Sequence, residues 1–333
     1  MTPLVKIAVL DDWQGIARAS ADWRALDARA TVEFFHAPFA TEDEAASRLA
    51  SYDILLPMRE RTAFPASLIA RLSRLKLIAM TGPRAGTLDL AACTKAGILV
   101  CNTGSDSSGA ATAELVLSLL LAAARFVPAG DASIRAGRFQ EGIGLGQTLA
   151  GATLGIIGLG RIGARMAGYG RALGMRVLAW SANLTPERAA AAGADYATKE
   201  ALLDAADAVS LHLVLSARSR GVLGAADLAR LKPGAIVVNT ARGPLIEEAA
   251  LVAALREGRI RAGLDVFDTE PLPLGHPLRT APNTVLTPHL GFGTDAIFRQ
   301  FYGEAVENIL AFLDGAPIRA VNPEARDGAK GQT

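Results

Sequence analysis

Along this chain, short runs of β-branched residues or leucine alternate with Ala/Leu/Arg-rich stretches of helical length, the pattern of βαβ units around parallel sheets buried on both faces. In the first hundred residues the apolar runs predict strands at Lys6–Leu10, Thr31–Phe35, Ile54–Leu56, Leu77–Met80 and Ile98–Cys101, with helices at about 14–28, 41–50, 65–73 and 89–96. The small-residue loop TGSDSSG then leads into a long apolar helix, about 109–126, whose charges are Glu114 and Arg125; it must be buried on several faces. A second alternating series runs from Thr153 to His289, with strands near 153–157, 176–180, 208–213, 235–239, 262–266 and 284–287. A last helix, about 294–313, has no partner strand in that series and is expected to pack back on the first domain, making that domain discontinuous. The polar tail EARDGAKGQT is expected to fray.

Length and composition narrow the class. A chain of 333 residues fits two domains, each able to bury its own core. With 34 Lys+Arg against 33 Asp+Glu the net charge is +1, which is not the basic footprint of a nucleic-acid binder and suits a small neutral or anionic ligand. Cys93 and Cys101 are too few for a disulfide framework, so a reducing cytoplasm is expected. The N-terminus passes from PLV through Lys6 and a short apolar run into paired acids, unlike a signal peptide. The longest uncharged stretch, Gly142 to Gly160, carries seven glycines; it reads as loop, strand and turn rather than a membrane span. No metal-ligand cluster is expected.

The strongest motif is Gly158-Leu159-Gly160-Arg161-Ile162-Gly163, placed directly after the apolar run TLGII and opening the helix RIGARMAGYGRAL. Alone, G-x-G-x-x-G is weak, but between a strand and a helix it is a dinucleotide fingerprint. The first glycine permits the tight turn, the second lets a pyrophosphate approach the backbone, and the third lets helix pack on strand. An acidic residue about 20 positions on usually takes the ribose hydroxyls of NAD. Here strand MRVLAW is followed by Ser181, Ala182 and Asn183, without an acid; Arg188 lies further on, so the cofactor is NAD or NADP.

Three later segments each follow a predicted strand: NTARGPLIEE (239–248), LDVFDTEPLP (264–273) and TPHLGFGT (287–294). Strand C-termini line the ligand crevice of an open α/β sheet, so Arg242, Glu270 and His289 are expected to converge. Their chemistry agrees: arginine forks a carboxylate, histidine exchanges a proton near neutrality, and a carboxylate beside it orients the ring and favours the imidazolium. Thr240, Ala241 and Asp265 in the same segments are expected beside the coenzyme.

On the GLGRIG fingerprint, the run HLVLSARSRGVLGAADLARLKPGAIVVNTARG (212–243) and the DVFDTEPLP and TPHLG segments, the chain resembles the D-isomer-specific 2-hydroxyacid dehydrogenases over nearly its whole length. The resemblance implies an α/β fold of two doubly wound parallel-sheet domains: a Rossmann-type NAD(P)-binding domain (104–292) inserted into a flavodoxin-like substrate-binding domain (1–103 and 293–333), with a cleft between them. It also implies a homodimer built largely through the coenzyme domain, and hydride transfer between a nicotinamide cofactor and C2 of a small 2-oxo or 2-hydroxy acid. In that reading Arg242 binds the substrate carboxylate and carbonyl, His289 is the acid/base and Glu270 holds His289. Thr112 falls where the family places a residue near the nicotinamide, with helix packing as the alternative. His212 matches a histidine near the cofactor pocket, with a core role equally open.

One departure stands out. Many relatives carry a G-x-G-x-D-N-x-D loop whose amides hold the substrate carboxylate; this chain reads Thr81-Gly82-Pro83-Arg84-Ala85-Gly86-Thr87-Leu88-Asp89. Gly82 and Arg84 are read as substrate contacts, with bracing of the loop through Asp89 as the alternative for Arg84. Arg59 and Arg61, at another strand end, face substrate or solvent. The alternative from another class is a dinucleotide-sensing interaction protein of the same fold without significant turnover.

Overall fold

The computed structural model describes residues 4–83, 86–104 and 109–325. The chain divides into two compact units, Met1–Ser107 with Thr294–Thr333, and Ser108–Gly293. Arg84 and the tail from residue 326 lie outside the described residues.

The first unit is built on five parallel strands, β1 (Val5–Val9), β2 (Ala30–Phe34), β3 (Ile54–Leu56), β4 (Leu77–Ala79) and β5 (Leu99–Cys101), in the order β2-β1-β3-β4-β5. All three residues of β3, β4 and β5 are buried, which is why each reads as an unbroken apolar run. The C-terminal helix Asp295–Leu313 belongs here because Asn308, fully buried, donates to the Asn102 carbonyl at 2.8 Å. Beyond the helix, Asn322 accepts from Val100 N at 2.7 Å, satisfying a backbone donor at β5.

The helix expected over 14–28 is instead two short helices, Ala17–Ser20 and Arg24–Asp27. Local side chains compete with a continuous helix: Ser20 donates back to the Ile16 carbonyl, and Asp22 takes the Arg24 amide at 3.1 Å, a turn that restarts the chain. The helix expected over 65–73 is likewise limited to Ala66–Ile69.

The second unit holds seven parallel strands: β6 (Thr153–Ile157), β7 (Arg176–Trp180), β8 (Asp195–Tyr196), β9 (Ala208–Leu211), β10 (Ala235–Asn239), β11 (Ile260–Leu264) and β12 (Thr284–Leu286). Their order is β12-β11-β10-β9-β6-β7-β8. The pleat sends alternate residues to opposite faces. Ile156, Val177, Ala208, Ile236 and Val238 pack against Ala113, Val116 and Leu120 of the helix Ala110–Arg125. Ile157, Leu178, Val209, Leu211 and Val237 pack on the other face with Leu202, Leu203, Leu251 and Leu255. Edge strand β8, two exposed residues, has no apolar run to announce it. The long apolar helix stops at Phe126, left-handed at φ 53°, and a second helix, Val127–Arg135, follows at a 63° bend with Pro128 in its first turn. Among the described residues no single helix is long and apolar enough to cross a membrane.

Candidate active site

The glycine turn joins β6 to the helix Arg161–Ala172. Gly158 has φ 100° and donates its N–H to the Trp180 carbonyl at the end of β7, 2.9 Å away. A Cβ there would also lie 2.9 Å from the carbonyl carbon of His212. Among the described residues nothing stands within 4 Å of a Cβ built on Gly160, and Gly160 itself offers no side-chain cap to the helix that begins after it. Open space beside Gly160 thus lies at the N-terminus of this helix, the setting in which a helix terminus takes an anion. Gly163 differs: a Cβ would sit 2.2 Å from the Gly158 carbonyl oxygen, a backbone atom. Gly163→Ala is therefore expected to push helix off strand, lowering unfolding free energy by roughly 1–3 kcal/mol and weakening dinucleotide affinity together. Urea denaturation beside a reduced-dinucleotide titration checks this, and an unchanged midpoint with unchanged affinity would show that the helix backs away freely.

Around this turn, Leu159 and Ile162 are half-buried against the core while Arg161 is exposed. His212 is paired through Nε2 with Ser210 Oγ at 2.8 Å, and burial pushes its pKa down to about 3, so the ring is neutral. Beside it in the sheet, β10 runs out into Thr240, whose buried hydroxyl has no hydrogen-bond partner among the described residues. An orphaned buried hydroxyl at a strand end is a ligand donor in waiting. The open glycine turn, the helix N-terminus after it and this hydroxyl fit a nicotinamide dinucleotide, with Gly158, Gly160 and Gly163 forming the turn that would hold it.

The putting-together of Arg242, Glu270 and His289 rests on side chains that the motifs did not single out. Asn239, buried at the end of β10, clasps the next loop, donating to the Arg242 carbonyl at 2.8 Å and accepting from Ala241 N at 3.0 Å. The following Gly243 packs so closely on the loop after β11 that a Cβ would lie 2.2 Å from the Phe267 carbonyl carbon. Phe267 N in turn donates to Glu270 Oε1 at 2.9 Å. Glu270 Oε2 accepts from His289 Nδ1 at 2.6 Å. Burial opposes ionisation of Glu270, but the His289 hydrogen bond, the Phe267 N–H and the field of Arg242 outweigh it and hold the carboxyl below its ordinary value.

His289 sits at φ 55°, an uncommon conformation for a residue with a side chain. Asp265, fully buried, holds it there. Its carboxylate accepts from Thr287 Oγ1 at 2.6 Å, Leu290 N at 2.7 Å and Gly291 N at 2.9 Å, and its carbonyl accepts from His289 N at 2.9 Å. Desolvation raises the Asp265 pKa, and these donors oppose the rise. Thr112 joins the same loop, donating to the Gly291 carbonyl at 2.9 Å. Phe292 meets the His289 ring edge-on, centroids 5.6 Å apart. With Nδ1 committed to Glu270, Nε2 has no protein partner among the described residues. The T of TPHLG and the N of NTARG were the sequence signals for Thr287 and Asn239.

In the first unit, Gly82 has φ 78°, and its N–H donates to Thr103 Oγ1 at 2.7 Å. A Cβ there would fall 2.1 Å from an Arg59 guanidinium nitrogen, so glycine lets Arg59 lie across the loop. Arg59 itself has φ 53°, with its N–H held by Thr81 Oγ1. Arg61 braces the chain after β1, donating to the Asp11 carbonyl at 2.7 Å and stacking 4.5 Å from the Trp13 ring centre. Among the described residues no group of His, Cys, Asp and Glu is arranged to hold a metal ion.

Residues 117–291 match the family model "D-isomer specific 2-hydroxyacid dehydrogenase, NAD binding domain". The chain is 40% identical over 266 residues to a glyoxylate reductase of Aeropyrum pernix, covering 77% of this chain and 79% of that protein. The chain belongs to the D-isomer-specific 2-hydroxyacid dehydrogenase family. It is accordingly an oxidoreductase moving hydride between a nicotinamide dinucleotide, NAD or NADP, and a 2-oxo or 2-hydroxy acid. A D-3-phosphoglycerate dehydrogenase of Methanocaldococcus jannaschii is 38% identical over 257 residues, 77% of this chain and 48% of its own length. The chain thus spans about half of that relative. Among solved structures, a phosphoglycerate oxidoreductase of Vibrio cholerae matches with a TM-score of 0.88 at 36% identity, covering 94% of this chain and all of the other. Family membership supports the expected α/β fold with its Rossmann-type coenzyme domain.

Proposed function

We propose that the chain acts as a cytoplasmic homodimer that interconverts a small 2-oxo acid and its D-2-hydroxy acid, with Arg242, Glu270 and His289 as the working side chains. The observation that carries this reading is the 2.6 Å bond from His289 Nδ1 to Glu270 beside Arg242, at the ends of β10 to β12. When bound, the nicotinamide supplies or accepts the hydride at the substrate's C2. His289 presents Nε2 to the substrate oxygen, donating a proton in reduction and accepting it back in oxidation. Glu270 fixes the ring orientation through its bond to Nδ1. Arg242 forks the substrate carboxylate and draws negative charge onto the carbonyl oxygen. Asp265, Thr287 and Thr112 hold the His289 loop in its left-handed turn, and Asn239 holds the Arg242 loop. Exposed Val127, Ile134, Phe139 and Leu145, which follow the long apolar helix, supply a surface for a second copy.

The test follows reduced-nicotinamide absorbance while glyoxylate, pyruvate, hydroxypyruvate and bulkier 2-oxo acids are supplied with NADH or NADPH. Steady turnover on at least one is expected. Cofactor binding without turnover across the panel would overturn the assignment.

A further inference from the structure

The edge of β7 carries information about which dinucleotide this chain takes, provided the coenzyme reading of the glycine turn holds. Trp180 ends β7 and accepts the Gly158 N–H, so Ser181 stands directly beside the turn. In dinucleotide-binding sheets the adenosine ribose lies at this second strand end, where a carboxylate takes its hydroxyls. Ser181, Ala182 and Asn183 provide none.

A cation stands there instead. The guanidinium of Arg188 folds back over the turn and donates from Nη1 to the Asn183 carbonyl at 3.1 Å, while its backbone N–H is held by Thr185 Oγ1. Among the described residues Arg188, in the short helix Pro186–Ala191, makes no ion pair, whereas Arg176 at the start of β7 pairs with Asp195. The acidic neighbour Glu187 is engaged by its own backbone N–H and by Thr185, which hold its carboxyl below the ordinary value. A fully charged planar fork is thus tethered to the rim through a neutral carbonyl, a weaker acceptor than a phosphate oxygen.

We propose that Arg188, with Ser181 and Asn183, binds the phosphate on the 2′ oxygen of an adenosine ribose, and that the chain prefers NADP(H) to NAD(H). Serine and asparagine offer hydrogen bonds without repelling the phosphate, as an aspartate at position 181 would.

Calorimetric titration with 2′,5′-ADP and 5′-AMP isolates this edge from catalysis. The wild type is expected to bind 2′,5′-ADP about tenfold or more tightly than 5′-AMP, the factor a charge-assisted phosphate contact supplies. Arg188→Ala should remove most of that difference while leaving 5′-AMP affinity unchanged, and Ser181→Asp should reverse the order. Equal binding of the two nucleotides by the wild type, or a ratio unmoved by Arg188→Ala, would overturn the proposal. Failure of the wild type to bind either nucleotide would overturn the coenzyme reading of the glycine turn and this preference with it.

Discussion

His289→Ala is expected to lower kcat by about a hundredfold or more, the range for loss of a general acid, while the dissociation constant for the dinucleotide stays near the wild-type value. The reason is positional. The imidazole hangs from the loop after β12, whereas the glycine turn and the Thr240 hydroxyl belong to other strand ends. Removing the ring takes away the proposed proton donor and leaves Glu270 without its hydrogen-bond partner, but it leaves the Asp265 clasp on the Leu290 and Gly291 amides intact. Steady-state kinetics beside fluorescence titration of NADH and NADPH provides the check. Near-normal turnover in the variant would remove His289 from the chemistry.

Arg242→Lys keeps the charge, so it separates two accounts of this residue. If a bidentate fork holds the substrate, lysine is an inadequate replacement, and kcat/KM should fall on the order of a hundredfold, roughly 2–3 kcal/mol at about 1.4 kcal/mol per factor of ten. The ammonium cannot reproduce two parallel N–H bonds to one carboxylate, nor the bond from Arg242 Nη1 to the Ala241 carbonyl that shapes the loop. Kinetics with the 2-oxo acid varied, read beside the cofactor dissociation constant, distinguishes the outcomes. A loss confined to cofactor affinity would move Arg242 out of the substrate site.

Much of this was legible in the chain because its signals are local. The buried parallel strands announce themselves as apolar runs, since helices cover both faces and leave no polar alternation. GLGRIG reads from sequence alone because its glycines serve a short strand-to-helix turn, and the structure makes a steric demand explicit at Gly158 and Gly163 and leaves open space at Gly160. Arg242, Glu270 and His289 could be marked as strand-end residues with matching chemistry, and their segments carried the family resemblance. What composition and spacing could not decide is how contacts between distant segments shape short pieces. Two-residue β8 has too few positions to show a period. Residues 14–28 have helical composition, yet Ser20 and Asp22 bond to nearby backbone and divide them. Asp265 looked like a coenzyme contact; only the folded chain shows its carboxylate accepting from Thr287, Leu290 and Gly291, residues 22 to 26 positions away, and so setting the backbone of His289. The sequence by itself determined the buried strands, the glycine turn after β6 and the chemical identities of the candidate site residues. Tertiary structure alone decided the 2.6 Å pairing of His289 with Glu270 and the clasp that enforces it, because both depend on the ends of β11 and β12 lying side by side in one sheet.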